Sequence, residues 1–424
     1  MVFNSYHVKF LTYCYYFDKC NIFFHLALTI LYISLKRKMK TPYYSYNLNL
    51  LERTLQDLIF EAKNYKIHYA IKANNDIQIN KIIAKFGLGA DCVSGNEILH
   101  ALKCGFSNNK IVFAGIGKSD EEIEIALNNN IACFNVESLQ ELKVINYVAK
   151  RLNKKTSVAL RINPNINVDT HQYIKTGINE NKFGISFNQI LKAIEIIDSC
   201  HFISLTGLHF HIGSQITNLR NFEYLAKKVN FILNYIEEKG IKIKHINLGG
   251  GLGIDYDSPY ENSIPNFKKY FNVFKKHLTT KPYHTVHFEL GRSIVGQCGD
   301  LITTVLYIKK GISKKFAIVD AGMTDLIRPA LYQAKHLVVK CKTEFNEIEK
   351  YDIVGPICES SDKFISNYSI EKLKRGDQLK IKSVGAYGQV MVSEYNLRTK
   401  PGVFYHGEKL HFETRNSTKK LILN

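Results

Sequence analysis

The sequence predicts a (β/α)8 TIM-type barrel followed by a second, mostly β domain, a β-sandwich or small β-barrel. Three observations carry this. Short β-type apolar runs at 67–71, 89–93, 111–114 and 133–136 begin at intervals of 22 residues, the length of one strand, one helix and two short loops. Runs at 157–162, 205–211, 245–248 and 285–290 bring the series to eight, and eight βα units in series close into a barrel more readily than they spread into an open sheet. After Arg292 the texture changes to glycine-punctuated β runs at 301–308, 316–319, 337–341, 351–354, 378–384 and 390–392.

Between strands, residues 219–239 place Phe222, Leu225, Ala226, Val229, Ile232, Leu233 and Ile236 at three-and-four spacing, with Gly240 as the stop. That stripe predicts a helix packed on the barrel's outside. The expected organisation is a barrel over 57–292, a β domain over 293–424, and a segment at 39–56 that joins the β domain although it precedes the barrel. Residues 1–38 read as an atypical extension: positions 20–35 are apolar apart from Asn21 and His25 and end on Lys36-Arg37-Lys38, short for a membrane span and without a small-residue cleavage site. Met39-Lys40-Thr41-Pro42 reads like a natural start, with a membrane-associated helix as the alternative for what precedes it.

Composition narrows the function classes. With 45% hydrophobic and 22% charged residues and no low-complexity tract, a long disordered segment is not expected. The net charge of +19 comes from a general lysine bias without an Arg/Lys stripe interleaved with aromatics, so no nucleic-acid partner is expected, although anionic substrates would be steered. Residues 1–38 carry only a minor part of that excess. The nine cysteines stand singly with no C-x-x-C pair, which suits a reducing cytoplasm and excludes a zinc-type cysteine site.

Chemistry in such a barrel sits at the C-terminal ends of the strands. Lys72 closes the first run; an amine against apolar walls is desolvated, its pKa falls, and it can attack an aldehyde such as that of pyridoxal phosphate. His209-Phe210-His211-Ile212-Gly213-Ser214 closes the sixth, with His209 and His211 expected on one strand face. With no third ligand at suitable spacing they suggest an aromatic platform for a cofactor ring and no metal. Gly249-Gly250-Gly251 follows the seventh strand, where consecutive N–H groups can cradle phosphate. Glu289-Leu290-Gly291-Arg292 closes the eighth, and its carboxylate could pair with a pyridinium nitrogen. In the β domain Arg328 and Tyr332, four apart, suit a carboxylate. Cys358-Glu359 puts a thiol beside a carboxylate, and Tyr387 stands among small residues. Each of these singly is commonly structural.

Taken in order, the segments resemble the diaminopimelate decarboxylases, pyridoxal-phosphate enzymes of the alanine-racemase-like fold, over about residues 40–412. The resemblance rests on Tyr69-Ala70-Ile71-Lys72-Ala73-Asn74, on 171–184 with its Lys182-Phe183-Gly184, on the glycine triplet, and on Glu289-x-Gly291-Arg292. The substrate-specific part is Asp325-Leu326-Ile327-Arg328-Pro329-Ala330-Leu331-Tyr332 and Cys358-Glu359-Ser360. It implies decarboxylation of meso-2,6-diaminopimelate to L-lysine, the last step of lysine biosynthesis. It further implies Lys72 as the Schiff-base lysine for pyridoxal 5'-phosphate, His211 stacked on the ring, and Ser214, Gly251 and nearby amides on the phosphate. Glu289 would face the ring nitrogen. Arg292, Arg328 and Tyr332 would bind substrate, Glu359 its distal amino group, and Tyr387 both ligands. Cys358 would donate the proton. Cys358, Glu359 and Tyr387 would reach the site from a neighbouring subunit, hence an obligate homodimer. Leu290 stands where the family usually has proline, which predicts a looser strand exit. Other readings are a decarboxylase of the same fold acting on ornithine, arginine or carboxynorspermidine, or a non-catalytic pyridoxal-phosphate carrier, which would lack the β domain.

Overall fold

The computed structural model describes residues 40–166, 182–342, 347–407 and 412–413. The extension at 1–38 and most of the 171–184 loop lie outside them. Strand β1 (Tyr43–Asn47) comes first, and the barrel strands follow: β2 (Lys66–Ala70), β3 (Gly89–Cys92), β4 (Ile111–Phe113), β5 (Cys133–Val136), β6 (Thr156–Arg161), β7 (Ile203–His209), β8 (His245–Asn247) and β9 (Thr285–Leu290). These eight pair in parallel in chain order, and β9 closes onto β2 with Phe288 opposite Ile67.

The local chemistry that starts each helix is visible. Asp76, Ser94, Ser119 and Ser138 each accept a backbone N–H at a helix N-terminus, and Ser119 completes a capping box with Glu122. The helix Arg220–Glu237 buries all seven of the residues in its predicted stripe. Phe222 meets Tyr270 of the helix Phe267–His277 edge-on at 4.9 Å, joining neighbouring outer helices. Burial of such side chains contributes roughly 1.5–3 kcal/mol each.

The second domain is a branched nine-stranded mixed sheet. Its strands are β1, β10 (Gly299–Lys310), β11 (Lys315–Val319), β12 (Val338–Lys340), β13 (Ile348–Val354), β14 (Lys363–Glu371), β15 (Gln378–Ile381), β16 (Gly402–His406) and β17 (Phe412–Glu413). At 12 residues β10 is long enough to pair with β1, β11 and β15. Strand β1 lies between β10 and β16, so the chain begins in the sheet, builds the barrel and returns.

Several boundaries differ from expectation. Strand β2 stops at Ala70, and Lys72 lies on the 3-10 turn Ile71–Ala73. Strand β7 stops at His209, so His211 does not share a strand face with it. The apolar run at 390–392 belongs to a 3-10 turn, Gln389–Met391, and not a strand. Strand β14, which the β runs of the sequence do not include, lies at the end of the sheet, where half-exposed polar residues obscure its alternation.

Two hydrogen-bonded contacts tie sheet to barrel mouth. Tyr46 donates its hydroxyl to Gln389 Oε1 at 2.8 Å and accepts from Asn74 Nδ2 at 3.0 Å, while the same amide also donates to Gly385 O at 2.8 Å. All three side chains are buried. Tyr46→Phe therefore strands buried partners on both sides, and urea unfolding is expected to show a loss of roughly 1–3 kcal/mol. An unchanged midpoint would mean the tie carries no stability.

Candidate active site

A narrow cavity at the C-terminal mouth of the barrel gathers Lys72, His211, Ser214, Gly251, Glu289, Gly291, Arg292 and Tyr387. Asp91, from the end of β3, completes its wall. Lys72 Nζ lies 2.7 Å from Asp91 Oδ2. This corrects the expected electrostatics: desolvation alone would lower the Lys72 pKa, but Asp91, then Tyr387 and Glu289, hold it above its ordinary value.

Glu289 is buried on β9, yet its pKa is held well below the usual carboxylate range. Burial opposes ionisation, but His209, with further help from Lys72, overcomes it. His209 Nε2 lies 2.8 Å from Oε2, while Asn135 and Asn247 donate to Oε1 at 3.0 and 2.7 Å. Leu290 does not loosen this exit: it is buried, in register with Tyr69, and Glu289 is fixed by three side chains.

The glycine triplet also departs from expectation. Gly249 N–H donates to Asn247 Oδ1 at 2.9 Å and Gly250 N–H to His211 Nδ1 at 3.2 Å, so neither is free for an anion. Gly249 has φ +66° and a Cβ there would run into Phe210 O, while a Cβ on Gly250 would run into Glu289 O. These glycines serve close strand packing, and only Gly251 of the three lines the cavity. The bond from Gly250 leaves the proton of a neutral His211 on Nε2, and burial, then Arg161, push its pKa far down. A neutral ring of this kind suits stacking.

Arg292 donates to Ser214 Oγ at 3.0 Å and to Tyr256 Oη at 2.6 Å, with its guanidinium 4.8 Å from the Tyr387 ring centre. An adjoining open cleft of about 1190 Å³ is lined by Arg292, Arg328, Tyr332 and Tyr256. Arg328 is buried, donates to His336 Nε2 at 2.9 Å, and lies 4.9 Å from the Tyr256 ring centre.

Tyr387 corrects another expectation, since it lines the cavity of its own chain. Its N–H donates to Ala73 O at 2.8 Å, next to Lys72, and this bond holds it at φ +56°. Cys358 and Glu359 do not line either cavity. Both are exposed on a turn built by Asp362, which accepts from Met323 N at 2.6 Å and Ile357 N at 2.7 Å; Glu359 accepts from Tyr395 Oη at 2.7 Å. A further cavity of about 780 Å³ opens at the opposite barrel mouth around His68, His245 and His287, away from Lys72 and Arg292.

Sequence reasoning passed over Asp91, Asn135, Asn247, Tyr256 and His336. Asp91, Asn135 and Asn247 could have been found, because a polar residue inside an apolar strand run needs a buried partner. Tyr256 and His336 sit in loops and carry no such signal.

The donor set fits pyridoxal phosphate: a lysine amine, an ionised buried carboxylate, a neutral imidazole, and a serine hydroxyl beside a glycine backbone. Asp91 Oδ1 and Arg292 Nε are buried without a partner among the described residues. Fold and site define a pyridoxal-dependent decarboxylase. The family model for the pyridoxal-dependent decarboxylase pyridoxal binding domain matches residues 48–296.

Diaminopimelate decarboxylase of Bacteroides thetaiotaomicron is 50% identical over 368 residues, covering 86% of this chain and 95% of that protein. The crystal structure of the Helicobacter pylori diaminopimelate decarboxylase complexed with L-lysine superposes with a TM-score of 0.85 at 40% identity, covering 90% of this chain and 95% of that one. The chain belongs to the diaminopimelate decarboxylase family. The lysine/ornithine decarboxylase of Vibrio vulnificus, at 20% identity and a TM-score of 0.78, shares the fold.

The depressed Glu289 pKa has a stability consequence. A carboxylate with a folded pKa below its unfolded value of about 4.3 contributes stability above that pH and loses it as pH falls through the folded value. The stability gap between wild type and Glu289→Gln, measured by urea unfolding, is therefore expected to narrow as pH drops below about 4.3. A gap that widens on acidification would contradict the assigned ionisation.

Proposed function

We infer that this chain decarboxylates meso-2,6-diaminopimelate to L-lysine and CO2 with pyridoxal phosphate as cofactor. The observation that carries this is Arg328, a buried cation beside Arg292 in the cleft that adjoins the Lys72 cavity. A substrate with a second carboxylate needs such a group, whereas ornithine and arginine do not. The named relatives support the same reaction.

In this reading the barrel over 57–292 holds the cofactor and 293–424, with 39–56, forms the β domain. Lys72 would hold the cofactor aldehyde, exchanging the Asp91 contact for that bond. Glu289 would keep the ring nitrogen protonated, and the neutral His211 would lie on the ring face. Ser214 and Gly251 would hold the phosphate, on a floor shaped by Gly249, Gly250, Leu290 and Gly291. When bound, pyridoxal phosphate supplies an electron sink for the pair left behind as CO2 departs. Arg292, Arg328 and Tyr332 would orient the substrate so that the carboxylate at its D-configured carbon faces that sink. Tyr387 would contact both ligands.

Cys358 would deliver the proton to that carbon, and Glu359 would meet the distal ammonium. Because both are exposed away from their own chain's cavity, each would serve a partner's site, making the enzyme a homodimer with shared sites. A cytoplasmic setting is part of the same reading: the seven described cysteines are free, and no described helix is long and apolar enough to cross a membrane.

Parallel incubation with meso-diaminopimelate, ornithine and arginine, following CO2, is expected to give turnover with the first alone. Preferred release from ornithine or arginine would overturn the substrate assignment. Lys72→Ala is expected to abolish both cofactor absorbance and turnover, and Cys358→Ala to impair turnover with cofactor retained. Mixing the two variants under subunit exchange should bring activity to about a quarter of wild type from the intact sites alone, since random pairing leaves one intact site in half of the dimers. No recovery, with heterodimers demonstrated, would refute the shared site.

A further inference from the structure

We propose that His336 and Tyr256 are positioning residues that fix the aim of Arg328 and so set the preference for a ligand with a distal carboxylate. The proposal rests on the reading of Arg328 given above. Arg328 opens the short helix Arg328–Tyr332 and is 4% exposed. Among the described residues no carboxylate pairs with it. A buried guanidinium without a counter-charge is costly unless a ligand supplies one.

The brace is built on one nitrogen of that guanidinium. Arg328 Nη1 donates to His336 Nε2 at 2.9 Å, so Nε2 must be bare. The other ring nitrogen meets Lys382 O at 2.8 Å, and a carbonyl can only accept, so the proton sits on Nδ1. Lys382 N–H in turn donates to Leu337 O at 2.9 Å, anchoring the carbonyl to the chain that carries His336. Burial, then the adjacent Arg328, push the His336 pKa down to about 3, which keeps the acceptor available at neutral pH.

Tyr256 works from the other side. Its ring meets the His336 ring edge-on at 5.0 Å and lies under the Arg328 guanidinium at 4.9 Å, while its hydroxyl accepts from Arg292 Nη1 at 2.6 Å. Two cations thus share one tyrosine, Arg292 through a hydrogen bond from Nη1 to its hydroxyl and Arg328 through the face of its ring. Arg292 Nε and Arg328 Nε remain buried and without a partner among the described residues. Donors held in that state are what a carboxylate would satisfy, and the brace decides where they point.

The test uses the holoenzyme and two ligands that differ in the carboxylate. L-lysine retains the distal carboxylate of the substrate; 1,5-diaminopentane lacks it. His336→Phe keeps the ring and deletes both its acceptor and its donor. By calorimetry it is expected to weaken L-lysine about tenfold and leave 1,5-diaminopentane within about twofold, the loss of one charge-assisted hydrogen bond. KM for meso-diaminopimelate should rise by a similar factor with kcat within about threefold. His336→Gln, which restores an acceptor, should recover most of the L-lysine affinity.

In an Arg328→Met background, His336→Phe should change L-lysine binding no further, because the group it positions is gone. Should His336→Phe fail to fold, Tyr256→Leu carries the same comparison of ligands. Equal weakening of both ligands, additive losses in the Arg328→Met background, or unchanged L-lysine binding would overturn the positioning role. The parent reading fails differently: wild type would then bind 1,5-diaminopentane as tightly as L-lysine.

Discussion

An ionised carboxylate sealed inside the barrel organises this molecule. Glu289 draws His209 from β7, Asn135 from β5 and Asn247 from β8 onto itself, so side chains from four of the eight strands meet at one charge. Removing one partner of such a buried pair typically costs 3–5 kcal/mol, because a charge is left without compensation. The same charge raises the pKa of Lys72 and lies in the wall of the same cavity. Stability and chemistry therefore draw on a single group. A glutamate that became neutral on burial could neither hold these strands together nor keep a bound ring nitrogen protonated.

Around that charge the mouth divides into two layers. The inner layer, with Lys72, Asp91, His211 and Ser214, belongs to the barrel and is suited to a cofactor. The outer layer belongs largely to the second domain, whose Arg328, Tyr332 and Tyr387 face the barrel rim. Arg292 connects the layers through Ser214 on one side and Tyr256 on the other. The placement of Tyr387 depends on a backbone bond to Ala73, beside Lys72, so the sheet is docked at the point where its side chains are needed.

How much of this was legible in the sequence follows from the range of the forces involved. The 22-residue period and the stripe on the helix Arg220–Glu237 are local, and both appear where the pattern puts them. Strand-end residues such as Lys72, Glu289 and Arg292 were found because barrel topology brings strand ends together whatever lies between. The sheet was harder to read at β14, which is half-exposed, whereas the expectation that 39–56 joins the sheet across the whole barrel is met by β1. The sign of the Lys72 shift is not visible in the sequence, because an apolar run shows desolvation whereas Asp91 is a neighbour only in space. Nor could the sequence show that Gly249 and Gly250 spend their N–H groups on Asn247 and His211.

On the proposed function, the amine beside Asp91, among the many lysines of this chain, is the one that would hold the cofactor. Borohydride reduction of the pyridoxal-phosphate-loaded protein, followed by peptide mass mapping, tests this most directly. A phosphopyridoxyl adduct is expected on the peptide that contains Lys72. An adduct on a different lysine, with Lys72 unmodified, would contradict it.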